Sequence, residues 1–147
     1  MNELVEDLKV SQGMIFQMQD VLLAGETIEP ITEHFFAEGV YGRLMKVPAG
    51  NWVVGAAHKT EHISILLKGK ASITMDDGSV KYLEAPMMTV VPAGKKKMAY
   101  VLEEMWFVNI HPTDTKDLDI IESRVIIPET EFRLTCDAPL TVLEGVI

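Results

Sequence analysis

Hydrophobic positions along this chain follow two rhythms. Between Asn2 and Ala24, the residues Leu4, Leu8, Ile15, Met18 and Leu22 recur at intervals of three, four and seven, which predicts an amphipathic helix ending near Gly25. Gly13 interrupts the pattern, so two shorter helices, the second opening after Ser11, satisfy it equally well. The apolar stripe must rest either on the chain's own core or on a sister subunit.

From Ile31 to His111 the rhythm changes to short alternating or β-branched segments. They are separated by Pro48-Ala49-Gly50, Lys68-Gly69-Lys70, Asp76-Asp77-Gly78, Ala85-Pro86 and Pro92-Ala93-Gly94, a turn spacing that predicts a sandwich or barrel. The Asp77-Gly78 step between 71–75 and 79–83 predicts a hairpin. Strands do not alternate with helices here, which disfavours a parallel sheet. In the segment Trp106 to His111, Trp106, Val108 and Ile110 share one face, and Phe107, Asn109 and His111 the other.

Beyond His111 the helical period returns. Pro112-Thr113-Asp114 offers a stop and a cap, after which Leu118, Ile121 and Val125 share one face until Pro128. Alternation at Phe132, Leu134 and Cys136, and again at Leu140 and Val142, predicts one or two further strands that close a sheet edge or reach a neighbouring subunit. The expected organisation is a helical arm over 1–30, a β-barrel over 31–111, and a helix plus strands over 112–147.

Composition narrows the function classes. A chain of 147 residues with 48% apolar and 24% charged residues has the balance of one globular domain. Its net charge of −9 disfavours nucleic acid and anionic membranes as partners. No apolar run reaches the ~20 residues that cross a bilayer, and the acidic start lacks a signal peptide's basic region, so a cytoplasmic protein is expected. Lys95, Lys96 and Lys97 form the one basic run; without arginines or interleaved aromatics it reads as a solvated turn. Cys136, the single cysteine, can form no internal disulfide and reads as a small buried hydrophobe.

Candidate chemistry centres on His58 and His62, which would project to the same face of a strand and could share a divalent transition metal such as zinc, iron, nickel or manganese. The same residues spell H-x-x-E-H. That zinc-protease pattern needs a helix, and the strand-rich flanks Trp52 to Val54 and Ile63 to Leu67 contradict one. Asn109 and His111 are candidates to line a pocket.

The run from Lys46-Val47-Pro48-Ala49-Gly50 through His58, His62 and Leu67-Lys68-Gly69 to Val90-Val91-Pro92-Ala93-Gly94 resembles a single-domain cupin, a small double-sheet jelly roll. The wider text, including Phe35 to Tyr41 and Ile110 to Thr113, looks like uncharacterised cupin-like proteins of tailed bacteriophages. The resemblance implies a metal cage of two histidines and a glutamate before the glycine, and a third histidine after the second turn. Against that pattern the first histidine is Ala56, the second is kept as His58, the glutamate is His62, and the last histidine is Lys97; Pro86 stands where the second motif begins with glycine.

Lysine in that position repels a cation, at about 4 kcal/mol for a unit charge 4 Å away in an effective dielectric of 20. Two readings follow. One is a phage-type, non-catalytic assembly or protein-interaction module, homo-oligomeric or bound to a phage or host protein, in the bacterial host cytoplasm or the virion. The other is a small-molecule cupin, binding a metal through His58 and His62 or an anion with Lys97, and open to being an enzyme.

Overall fold

The computed structural model describes residues 15–75 and 78–135. Helix α1 (15–23) leads into seven antiparallel strands: β1 (Ile31–Ala37), β2 (Val40–Val47), β3 (Trp52–Val54), β4 (His62–Thr74), β5 (Val80–Glu84), β6 (Met87–Val91) and β7 (Met98–Pro112). Two helices follow, α2 (Leu118–Val125) and α3 (Glu129–Thr135). Residues 1–14 and 136–147, which hold the earlier part of the predicted arm, Cys136, Leu140 and Val142, lie outside the described residues.

Two long strands organise the barrel. The first half of β4 pairs with β6 and its second half with β5, while β7 pairs with β3 early and β2 late, and β4 and β7 pair with each other throughout. The ladder therefore divides into a five-stranded half, ordered β1-β2-β7-β4-β6, and a four-stranded half, ordered β3-β7-β4-β5. Both long strands run through each half. The core of Val47, Leu66, Ala71, Val101 and Met105 sits between the halves.

The join is made at Gly69, which the turn rules place between strands and the structure places inside β4. The chain does not reverse there. Instead the register slips between Leu66 and Ala71, so that five steps along β4 face six along β7. The slip flips parity: His62, Ser64 and Leu66 point inward before it, Ala71 and Ile73 after it. Predicted turns at Gly50 and Gly94 are present, as is the β4–β5 hairpin, in which Ala71 faces Leu83 and Thr74 faces Val80.

Three helical expectations change. In α1 the buried face is Ile15, Phe16 and Gln19, and Met18 is exposed. Phe16 displaces Met18 because its ring meets Phe132 at 5.7 Å beside Ala57 and Ile127, so α1 rests on its own chain. The α2 cap is Asp117, whose carboxylate accepts from the Asp119 and Ile120 amides, whereas Thr113 is spent in a local turn with Thr115. Residues 129–135 form α3, where the alternation at Phe132 and Leu134 predicts an extended segment. Pro128 at its entrance and Glu129 and Glu131 in its first turn favour a helix end, and those signals outweigh the Phe132/Leu134 alternation.

Candidate functional site

Strand registers place side chains in rows across the inner face of the five-stranded half. One row is apolar: Met45, Phe107, Leu66 and Met87. The next is wholly polar, His34-Arg43-Asn109-Ser64-Thr89, one residue from each of β1, β2, β7, β4 and β6. A third row carries Phe36, Tyr41 and His111, with His62 beside them. Asn109 and His111 thus lie on the inward face that the alternation of β7 predicts. Trp106 faces outward, under Lys46 and Lys68 at 4.4 and 5.0 Å.

His58 reaches these rows from a loop. An unbroken strand would hold the Cα atoms of residues 58 and 62 roughly 13 Å apart, yet their rings lie 4.2 Å apart, because the chain bends at 59–60 before β4 begins. The expectation of one continuous strand is corrected accordingly. Backbone bonds fix the loop on both sides: Ile127 donates to the Ala57 carbonyl (2.9 Å), Lys59 to Val125 (2.7 Å), and Gly94 to His58 (2.8 Å). His111 completes a cluster, 5.3 Å from His58 and 4.9 Å from His62.

The basic run is not a solvated turn. Lys96 is 1% exposed; its Nζ meets Glu129 Oε2 on α3 at 3.1 Å, donates to the Gly55 carbonyl at 3.2 Å and lies 5.0 Å from the Phe16 ring. Glu129 Oε1 also accepts from Gln19 of α1. Neighbouring side chains of an extended segment alternate, so with Lys96 drawn outward to α3, Lys95 and Lys97 face the barrel interior. Gly55 donates to the Lys97 carbonyl (3.1 Å), tying this segment to the His58 loop.

Two chambers result, sharing His58 and Asn109 as a partition. The inner one, about 160 Å³, has Lys97, His58, His62 and Asn109 at one end and an apolar wall that includes Leu66 and Phe107. The other, about 350 Å³, lies between the β1–β2 edge and α2.

All three imidazoles are held neutral. Burial is the main cause in each: it takes His58 down to about 3, with His62, His111 and Arg43 adding to the effect. His111 falls to about 4, helped by His62 and Arg43, and His62 is lowered further by Lys97. Between the ordinary histidine value of 6.5 and these values the unfolded chain takes up protons that the native chain refuses. Stability should therefore fall as pH drops from 7 to 5, and His58→Gln/His111→Gln should flatten that slope in urea unfolding midpoints measured at both pH values.

A metal is what the resemblance implies here, and the donor chemistry is half suited to it. Neutral imidazoles are good ligands, and the Nδ1 atoms of His62 and His111 are buried without a partner. The arrangement does not suit a cation: the rings of His58 and His111 lie face to face within 17°, Lys97 and Arg43 bear on the cluster, and the described residues include no group of three or more His, Cys, Asp or Glu that could hold a metal ion.

Comparison with known proteins bears on the fold. No protein-family model and no curated protein matches the chain. Among solved structures, an uncharacterised protein with a double-stranded β-helix domain from Klebsiella pneumoniae is similar, at 18% identity over 65% of this chain and 87% of that one, with a TM-score of 0.51. The fold is that of a cupin. A cupin superfamily protein from Desulfitobacterium hafniense shares 20% identity over 61% of this chain and 83% of its own, with a TM-score of 0.50. A DMSP lyase from Ruegeria pomeroyi has the same TM-score and 16% identity over 60% of this chain, which spans 49% of the lyase. Among the described residues, no helix is long and apolar enough to cross a membrane.

Sequence reading singled out His58, His62, Lys97, Asn109 and His111, and all five line one chamber or the other. It missed Arg43, Ser64 and Thr89, whose meeting depends on which strands are neighbours.

Proposed function

We propose that this cupin is a small-molecule binder whose inner chamber takes a monocarboxylate with a short apolar body. The observation that carries the reading is Lys97: the lysine standing where metal-bearing cupins have a histidine lines the same chamber as His58, His62 and Asn109, together with apolar side chains such as Leu66 and Phe107. A fixed ammonium beside neutral imidazoles attracts an anion and repels a cation. Hydrogen bonds to charged groups contribute about 1.5–3 kcal/mol each.

Size supports the same class. A dry cavity of about 150 Å³ holds benzene, so a chamber of about 160 Å³ suits a ligand such as hexanoate or benzoate. The apolar groups of Leu66, Met87 and Phe107 would cover its body, with Asn109 and Ser64 close to its head. The sequence ranks an assembly module first; a concave chamber lined by both charged and apolar side chains favours the small-molecule reading instead. Resemblance of the wider sequence to phage-encoded proteins supports placing such a binder in an infected bacterial cell.

Calorimetric titration of hexanoate and benzoate at pH 7 tests this. Saturable binding is expected, weakened about tenfold or more in Lys97→Met, the loss of one charge-assisted hydrogen bond. Absence of heat with either acid, or equal affinity in Lys97→Met, contradicts the reading. Addition of zinc should leave the affinity unchanged.

A further inference from the structure

The second chamber is not used by that reading, and it contains an arginine whose Nε is buried without a partner. Arg43 projects from β2 into it, half-buried, with its Nε enclosed and without a hydrogen-bond partner. Elsewhere Lys46, Lys68, Lys70, Lys96 and Arg124 each face a carboxylate within 4 Å. The Arg43 side chain makes no hydrogen bond or ion pair among the described residues. A guanidinium cannot shed its proton to relieve burial, as a histidine or lysine can, so a half-buried one with an unpartnered Nε favours an anion beside it.

The surroundings specify that ion. His111, 3% exposed, lines the same chamber and its Nδ1 lacks a partner. Asn109 stands opposite Arg43 in the strand register, offering an amide donor from the next strand. Tyr41 is held in place by the 2.6 Å bond between its hydroxyl and His34 Nδ1. On the outer side, Asp119 and Glu122 of α2 sit at the rim. Donors inside with carboxylates at the mouth favour a singly charged anion over a doubly charged one, and admit a ligand that also carries an ammonium group.

We propose that the chamber beneath α2 is a second binding site, separate from that of Lys97, in which Arg43, Asn109 and His111 hold the carboxylate of a compact monocarboxylate. A guanidinium fork matches the two oxygens of a carboxylate. Lys97 does not line this chamber and Arg43 does not line the inner one, so each site has its own cation.

Nitrogen-15 NMR of the arginine Nε–H and histidine ring signals of the full chain, titrated with acetate, glycine and inorganic phosphate, tests the proposal. Acetate and glycine are expected to shift the Arg43 and His111 signals saturably, and phosphate to do so with at least about tenfold lower affinity. Lys97→Met should leave the response intact, and Arg43→Gln should abolish the His111 shift while sparing hexanoate binding in the inner chamber. An Arg43 signal unmoved by all three probes in the unaltered protein, a His111 response surviving Arg43→Gln, or phosphate binding as tightly as acetate would overturn it. Because hexanoate reports on Lys97 and acetate on Arg43, failure of one site is distinguishable from failure of the other.

Discussion

Gly69→Ala is expected to destabilise the barrel by about 4 kcal/mol or more, beyond the usual range for a single methyl group. Gly69 has a φ of +97°, and a Cβ built on it would lie 2.2 Å from the Glu104 carbonyl oxygen and 2.8 Å from that of Glu103. Both obstacles are backbone of β7, so neither can rotate away. Relief would require β4 and β7 to separate where they pass from one half of the barrel to the other, which disturbs the register that sets both chambers. For a chain of this size the melting temperature should fall by roughly 8 °C or more in calorimetry. Gly50→Ala is the control: φ is +83° there too, but nothing lies within 4 Å of an added Cβ, so only the left-handed penalty of about 1–2 kcal/mol applies. Equal losses in the two variants would refute the steric argument.

Glu129→Ala should cost about 3–5 kcal/mol, the range for breaking a buried ion pair by removing one partner. It takes the Oε2 partner from the enclosed Lys96 ammonium and the Oε1 acceptor from Gln19, loosening α1, α3 and the segment 94–97 together. The consequence extends to the site, because Lys96 anchored on α3 is what turns Lys95 and Lys97 inward. Chemical unfolding should show the lost stability, and hexanoate affinity should fall even though Glu129 does not line the chamber. Lys96→Met separates the two effects: it removes the charge with its partner still solvated at one edge and fills similar volume, so its stability loss should be smaller than that of Glu129→Ala. A Glu129→Ala protein as stable as the parent would show that the pair contributes little.

What the sequence discloses and what it conceals have physical reasons. Period-two alternation within β7 and glycines at the turns are local signals, and they place Asn109 and His111 inward and pair β4 with β5 correctly. Registers between strands are not local. Arg43, Ser64 and Thr89 carry no individual mark of function; only the pairing of β2, β7, β4 and β6 sets them in one row. Period counting also fails across Gly69, since a bulge exchanges the inward and outward positions of β4. Lys96 illustrates a different limit: a lysine in a basic run is ordinarily exposed, and its burial here depends on a carboxylate from a helix that the alternation of Phe132 and Leu134 disguises as a strand. For His58 and His62, inward convergence is legible while its cause is not, because a bend and not strand periodicity brings the rings together.

Diffraction from crystals of this protein grown with hexanoate, with data collected also at a transition-metal absorption edge, separates an anion site from a metal site. Ligand density is expected in the inner chamber, with the carboxylate on Lys97 and the chain against Leu66 and Phe107. An anomalous peak coordinated by His58, His62 and His111, with hexanoate absent or its head turned away from Lys97, would contradict it.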